Sequence, residues 1–224
     1  YLSIEYIIID GNSNNNTLNI VKSYEKNFKD KKISYRWVSE PDKGIYDAMN
    51  KGVKMANGEL IGILNSDDWY QKNSLEKIAS CYKNNKPDYI HGNMNTYTLD
   101  KKFIKELKAG KKEEMIKRMS FFHPASFIKK TVYDNLKGYS LSYRICSDYD
   151  FILRIINSNY SIVYLDEVIT NFSYGGLSTT SVTEALKESH IVRVKNGYNK
   201  IDSAYYYFRA RIVNVIKKFL NIEN

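Results

Sequence analysis

Apolar residues arrive along this chain in two alternating rhythms. Residues 4–9 form a nearly unbroken apolar run, the pattern of a strand covered on both faces. Residues 17–28 then set Leu18, Val21 and Tyr24 at helical spacing, and residues 34–39 read as a second strand. Residues 45–56 predict a helix whose apolar side carries Ile45, Ala48, Met49, Gly52, Val53 and Ala56, ended by Asn57-Gly58. A short apolar run over 60–64 reads as a third strand. Ser74 is expected to cap a helix reaching Asn84, and residues 88–92 form another short strand. Such alternation predicts an α/β fold with a mostly parallel central sheet flanked by helices. Right-handed crossovers would bring Asp10 and Asp67-Asp68, at strand ends, to one edge.

The second half is less regular. Residues 94–99 and 102–107 suggest a β-hairpin around Asp100-Lys101, and 111–119 a short basic helix. Residues 121–127 are apolar around one histidine, His123. Residues 131–136 and 147–157 read as helices, the latter with Phe151, Ile152, Ile155 and Ile156 on its apolar face. Short strands follow over 161–165 and 168–172, then a Gly175-Gly176 loop and two helices over 183–197 and 203–219. No internal repeat or low-complexity linker divides the chain. The expected layout is one domain over 1–180 and a helical extension over 181–224.

Composition changes this picture little. The 224 residues are 43% hydrophobic and 26% charged, as in ordinary globular proteins, and no run is long enough to span a bilayer. Cys81 and Cys146 fit neither a disulfide framework nor a zinc site, which points to reduced thiols of a cytoplasmic protein. The net charge of +9 suggests anionic company, such as nucleotide phosphates or an anionic membrane. A nucleic-acid partner is not expected, because no RNA- or DNA-binding signature is visible and acidic loops follow the strands. Neither a P-loop nor a dinucleotide glycine fingerprint is present.

The candidate chemistry begins at Asn65-Ser66-Asp67-Asp68, where two carboxylates follow an apolar strand. Such a pair can present oxygens to a hard divalent cation, or it can serve as a turn and helix cap. Asp10 likewise ends a strand and admits both a ligand and a turn role. Asp47 can pair with Lys51 one helical turn on, and Asp150 with Arg154. Asp148 lies at a helix start, where the dipole favours its ionised form. It can also be an N-cap.

The run Asp42-Lys-Gly-Ile-Tyr-Asp-Ala-Met-Asn-Lys-Gly52, followed by Gly58-Glu-Leu-Ile-Gly-Ile-Leu-Asn-Ser-Asp-Asp-Trp69, closely resembles glycosyltransferase family 2. It is most similar to the branch that builds bacterial capsule, O-antigen and exopolysaccharide. Residues 6–13, His123-Pro124, Ser147-Asp148-Tyr149-Asp150 and Gly175-Gly-Leu-Ser178 resemble the family's other landmarks in order. The resemblance covers residues 1 to 180. It implies the GT-A fold, with a small antiparallel acceptor-side part and C-terminal helices. It also implies that the chain lacks the family's first strand and helix.

For function, the resemblance implies an inverting transfer of sugar from a nucleotide donor, UDP-linked by preference, to a glycan or lipid-linked hydroxyl. Mn²⁺ or Mg²⁺ would assist. Asp148 is then the expected base and Asp68 the expected metal ligand. Asp10, Asp42, Lys43, Asp47 and Asp67 are expected on the donor. His123 is expected near the diphosphate, with Gly176 and Ser178 in a flap over it. The motif is Ser66-Asp67-Asp68 rather than Asp-x-Asp, so the division of labour between the two carboxylates stays open. A sugar-nucleotide or glycan-binding module without catalysis is the alternative. The basic, aromatic stretch 204–220 would suit the inner face of a plasma membrane or would pack on the domain.

Overall fold

The computed structural model describes residues 4–175 and 181–220. Strands β1 (Glu5–Asp10) and β2 (Ser34–Ser39) pair in parallel, with Asp10 opposite Ser39. Between them the single expected helix is two, α1 (Thr17–Ser23) and α2 (Glu25–Asp30), divided at Tyr24. Helix α3 (Ile45–Met55) then leads to β3 (Leu60–Gly62), β4 (Trp69–Tyr70) and α4 (Ser74–Asn85). The second sheet has the order β3-β7-β5-β8-β4, built also from β5 (Tyr89–Tyr97), β7 (Ser126–Lys129) and β8 (Ile162–Ser173). Strand β6 (Phe103–Leu107) pairs with the outer stretch of β5. Helices α5 (Lys130–Leu136), α6 (Ser147–Asn157), α7 (Val182–Lys195) and α8 (Lys200–Phe219) complete the described chain.

The expected mostly parallel sheet is mixed. Only β1–β2 and β5–β8 are parallel among the described pairings, and β3–β7, β5–β7, β5–β6 and β4–β8 are antiparallel. The chain reverses at the hairpin around Asp100, and β6 and β7 both run antiparallel to β5, β6 beside its later residues and β7 beside its earlier ones. The helix expected over 111–119 is only a 3₁₀ turn, Lys112–Glu114. Two further expectations merge. Residues 88–92 and the first hairpin arm are one strand, β5, and the two short strands after 160 are one strand, β8. Their pairing shifts register around Asn93, so alternation breaks within continuous strands. Ser74 is not a cap. It is buried, and its hydroxyl donates to the carbonyl of Ile169 at 2.8 Å, while Asn73 holds the N-cap position.

Apolar groups cover both faces of the β5 sheet. Tyr89 joins a core with Phe151, Ile152, Leu153 and Ile155 of α6, Val53 of α3 and Val132 of α5. Its neighbour Ile90 points the other way, into a core with Ile78 of α4, Phe127 and Ile169. Four consecutive-face residues of α6 are fully buried, so truncating Leu153 to Ala would cost about 2–5 kcal/mol.

The two sheets meet across a polar seam. Glu5 at the start of β1 accepts the Asn57 N–H at 2.7 Å and the Gly58 N–H at 3.3 Å, from the loop between α3 and β3. Arg36 of β2 donates to the same carboxylate and to the Met55 carbonyl.

Gly92 sits where the β5–β8 register shifts, and a Cβ there would meet Ile169 Cγ1 at 2.5 Å and the Glu167 carbonyl at 2.9 Å. We expect Gly92→Ala to destabilise the protein by about 1–3 kcal/mol, because one of the clashing groups is backbone. Denaturant melts that superimpose on wild type would show that the shift tolerates a methyl group.

Candidate active site

Strand β1 ends on Asp10, which is 5% exposed. Its carboxylate accepts Ser13 N–H at 3.0 Å and the hydroxyls of Ser13 and Ser39, and these bonds, led by the two hydroxyls, hold its pKa below the ordinary carboxylate value. Asp10 therefore ties its own loop to the end of β2 and does not cap α1. Asp42 approaches from the next loop. Its Oδ1 accepts Gly44 N–H at 2.8 Å, and its Oδ2 lies 2.4 Å from where a Cβ on Gly11 would stand. Asp47 accepts Lys43 N–H at 3.0 Å and lies 3.6 Å from Lys51 Nζ, which also meets Glu40 and the Pro41 carbonyl at 2.9 Å. These contacts brace the loop that leads into α3. The Lys43 side chain is exposed and reaches no partner among the described residues.

The second group forms around Asp67-Asp68. Asp68 is 8% exposed. Its oxygens accept Ser173 N–H at 2.9 Å and Asn65 Nδ2–H at 3.2 Å, and burial pushes its pKa up to about 6 against those bonds. The neighbouring Asp67 charge pushes the same way. The Asp67 carboxylate is half-buried and makes no hydrogen bond among the described residues, whereas its carbonyl accepts Ser173 Oγ–H and Lys101 Nζ–H, each at 2.7 Å. Lys101, from the β5–β6 hairpin, also lies 4.3 Å from the Trp69 ring centre. The pair thus offers hard oxygen donors at a strand end. No cluster of three or more acidic, His or Cys ligands occurs among the described residues, so a divalent ion here would draw its remaining ligands from phosphate and water.

The third group surrounds Asp148, in the first turn of α6. Its Oδ1 accepts Tyr149 N–H at 2.8 Å and the Tyr46 hydroxyl at 3.0 Å. Its Oδ2 has no partner among the described residues. Burial raises the carboxyl above its ordinary pKa, opposed by nearby His123. The Tyr46 phenol is pushed well up by burial and by the Asp148 charge, so it stays a donor. Its hydroxyl also meets the Ile145 carbonyl. Asp148 is not the N-cap, a position held by Cys146. Asp150 is a structural ion, bonded to Arg154 Nε at 2.8 Å and Asn196 Nδ2 at 3.0 Å.

Tyr46 joins the first group to the third, since α3 starts in the Asp42 loop and its ring reaches Asp148. Strand β8 holds Asp68 through Ser173, and its Thr170 donates to the Pro124 carbonyl at 2.6 Å, beside His123. His123 itself is a core residue, with Nε2 2.8 Å from the Tyr139 hydroxyl. Gly176 and Ser178 lie outside the described residues. Tyr46, Lys101 and Ser173 were not singled out by sequence. Tyr46 stands inside the Asp42–Gly52 run, which could have flagged it. Lys101 and Ser173 carry no local signal, because only the β5–β6 hairpin and β8 bring them to Asp67.

Comparison with known proteins bears on the family and the fold. The chain is 29% identical over 183 residues to a PGL/p-HBAD biosynthesis glycosyltransferase of Mycobacterium bovis (strain BCG / Pasteur 1173P2), covering 80% of this chain and 69% of that protein. It is also 29% identical over 173 residues to an uncharacterized glycosyltransferase of Methanocaldococcus jannaschii, covering 74% of this chain and 58% of that one. In fold it is similar to S. aureus TarS 1-349 in complex with UDP-GlcNAc, with a TM-score of 0.62 at 16% identity. It is likewise similar to the mannosyltransferase PcManGT from Pyrobaculum calidifontis in complex with GDP-Man and Mn2+, at 0.63 and 13%. These matches cover 91% of this chain but only 61% and 59% of those chains. Both likenesses place the mixed sheet and its helices in the GT-A fold. The model of Glycosyl transferase family 2 matches residues 1–147, a span that contains Asp10, Asp42 and the Asp67-Asp68 pair, and the chain belongs to that family.

Proposed function

We propose that this site transfers a sugar from a UDP-linked donor to an acceptor hydroxyl, with inversion and with a divalent ion held at Asp67-Asp68. The acceptor is a glycan or lipid-linked hydroxyl in surface polysaccharide synthesis. The observation that carries the reading is Asp148: one oxygen is fixed by Tyr46 and Tyr149, and the other has no partner among the described residues. A base must be rigid and must leave a lone pair for the incoming proton.

Oδ2 of Asp148 takes the proton as the acceptor oxygen attacks the anomeric carbon. The bond to the diphosphate oxygen breaks on the opposite side, and its electron pair leaves with UDP. Burial makes Asp148 a stronger base than an exposed carboxylate. Tyr46 keeps the carboxylate oriented as its charge is neutralised. Mn²⁺ or Mg²⁺, when bound, neutralises the departing diphosphate as a Lewis acid. The Asp67 carboxylate, which has no partner among the described residues, and the buried Asp68 would supply its protein ligands, with Asp68 the expected direct one. Asp10 shapes the nucleotide loop with Asp42 and keeps lone pairs for the uracil imide N–H. Asp47 and Lys43 set the loop beside the donor.

Helix α8 suggests where the acceptor is met. Ile201, Tyr205, Phe208, Ile212, Ile216 and Phe219 recur at helical spacing and are exposed. The helix has Lys200, Arg209, Arg211, Lys217 and Lys218 against Asp202, five minus one, or +4. Like charge opposes pairing of two such helices, whereas an anionic membrane surface, such as the inner face of a plasma membrane, matches both stripe and charge. Among the described residues no helix is long and apolar enough to cross a membrane.

A thermal-shift screen of nucleotide sugars, with and without Mn²⁺, identifies the donor. With that donor, Asp148→Asn should lose at least about 10²-fold in kcat and keep UDP affinity. Wild-type activity should fall as pH drops through a transition above the ordinary carboxylate value, since burial raises the Asp148 carboxyl and it must be ionised to act. Full activity in the Asn variant sinks the base assignment. Asp68→Ala should weaken UDP binding in calorimetry with Mn²⁺ and leave metal-free binding unchanged; UDP binding indifferent to Mn²⁺ in wild type removes the ion from the reaction. Vesicles containing phosphatidylglycerol should co-sediment the protein, and Ile212→Asp with Ile216→Asp should abolish this. Equal sedimentation with purely zwitterionic vesicles would refute an electrostatic contact.

A further inference from the structure

Helix α7 lies beyond the segment matched by the family model, yet one of its side chains grips the turn that delivers Asp148. Glu188 Oε1 accepts Arg144 N–H at 2.9 Å. Its Oε2 accepts Ile145 N–H at 2.8 Å and Cys146 N–H at 2.9 Å. Three consecutive backbone donors thus end on one carboxylate. They are the residues just before the first turn of α6, where N–H groups have no intrahelical partner. Charge-assisted bonds of this kind are the strong ones.

The two peptide groups flanking the Ile145 Cα are therefore both held. Glu188 takes the Ile145 N–H, and the Tyr46 hydroxyl meets the carbonyl of the same residue. That same hydroxyl lies 3.0 Å from Asp148 Oδ1. Neighbouring contacts keep α7 in place against this turn. Arg144 Nη1 meets Glu184 at 3.3 Å, Cys146 Sγ lies 3.3 Å from the Ala185 carbonyl, and Asn196 Nδ2 donates to Asp150 at 3.0 Å.

We propose that Glu188 is a positioning residue for sugar transfer: by fixing the Arg144–Ile145–Cys146 backbone it sets, through Tyr46, the direction in which Asp148 presents its free oxygen. This rests on the reading of Asp148 as the base. Glu188 touches neither donor nor acceptor in this account. Its loss leaves Asp148 ionisable but loosely aimed, and misplacement on the scale of an ångström costs a positioned reaction up to about 10²-fold.

The test compares Glu188→Ala and Glu188→Gln with wild type, using the donor found in the screen. Glu188→Ala should lower kcat by about 10- to 100-fold while donor KM and UDP affinity stay within about twofold. Glu188→Gln keeps one oxygen for two of the three N–H groups and should fall between the two. Amide exchange at residues 144–149 should quicken in the same order, Ala most. If Glu188→Ala is not folded, Glu188→Gln carries the comparison alone. Wild-type kcat in a folded Glu188 variant, with Asp148→Asn inactive, overturns the positioning role alone. Wild-type kcat in Asp148→Asn removes the base reading, and with it anything for Glu188 to aim.

Discussion

Everything in this molecule hangs on how α6 is buried. Its apolar face is sealed against β5, α3 and α5, so the helix cannot slide or roll without opening the largest core. A helix pinned along its length also fixes its first turn, and that turn carries Asp148. The hydrophobic effect here supplies position as well as stability: a reactive carboxylate half in the core is held by neighbours that do no chemistry. Arg154 adds a polar lock at the far end, bonded to Asp150 and to the carbonyls of Leu136 and Gly138.

Around that fixed point the other polar groups are carried by separate pieces of chain. The Asp10 and Asp42 loops are braced mainly by short-range bonds, from Ser13, Gly44 and Lys43. Asp68 depends on a residue far along the chain, Ser173. The contrast explains the division of ionisation behaviour. Asp10 is surrounded by donors and its pKa is held low, whereas burial and the like charge of Asp67 push Asp68 up to about 6, so Asp68 takes up a proton at a higher pH than Asp10 does.

What the sequence disclosed follows the same line between local and distant causes. Strand β2 and helix α6 were legible to the residue, because a short run with Tyr35, Trp37 and Val38, and 3.6-residue spacing, are local signals. Asp148 and the Asp67-Asp68 pair stood in recognisable runs. The antiparallel pairing of β7 with β5 was not legible, since it sets Ser126–Lys129 beside Tyr89–His91, residues far apart in the chain, and the helix that charge and spacing suggested over 111–119 is a short 3₁₀ turn. Nor was Glu188: a glutamate on a basic helix looks like solvated surface until α7 is laid against residue 145. His123, marked by its motif, is packed in the core and bonded to Tyr139, the commoner role of a lone histidine in an apolar segment.

The seam between the two sheets has one further consequence. No backbone ladder joins β1 to β3 among the described residues, and Glu5 with Arg36 is prominent in the join. Burial of Glu5 works against its charge, but the Asn57 amide and Arg36 outweigh it and hold its pKa below the ordinary value. The contribution of that carboxylate is thus full above its unfolded-state pKa and is lost as pH falls through the lower, folded one. Arg36 is more than a third exposed, so dissolved salt also reaches the pair. The part of the molecule that holds the Asp10 loop is therefore coupled to the part that holds Asp148 partly by ions rather than by grease. That coupling loosens with acid and with ionic strength before the core does.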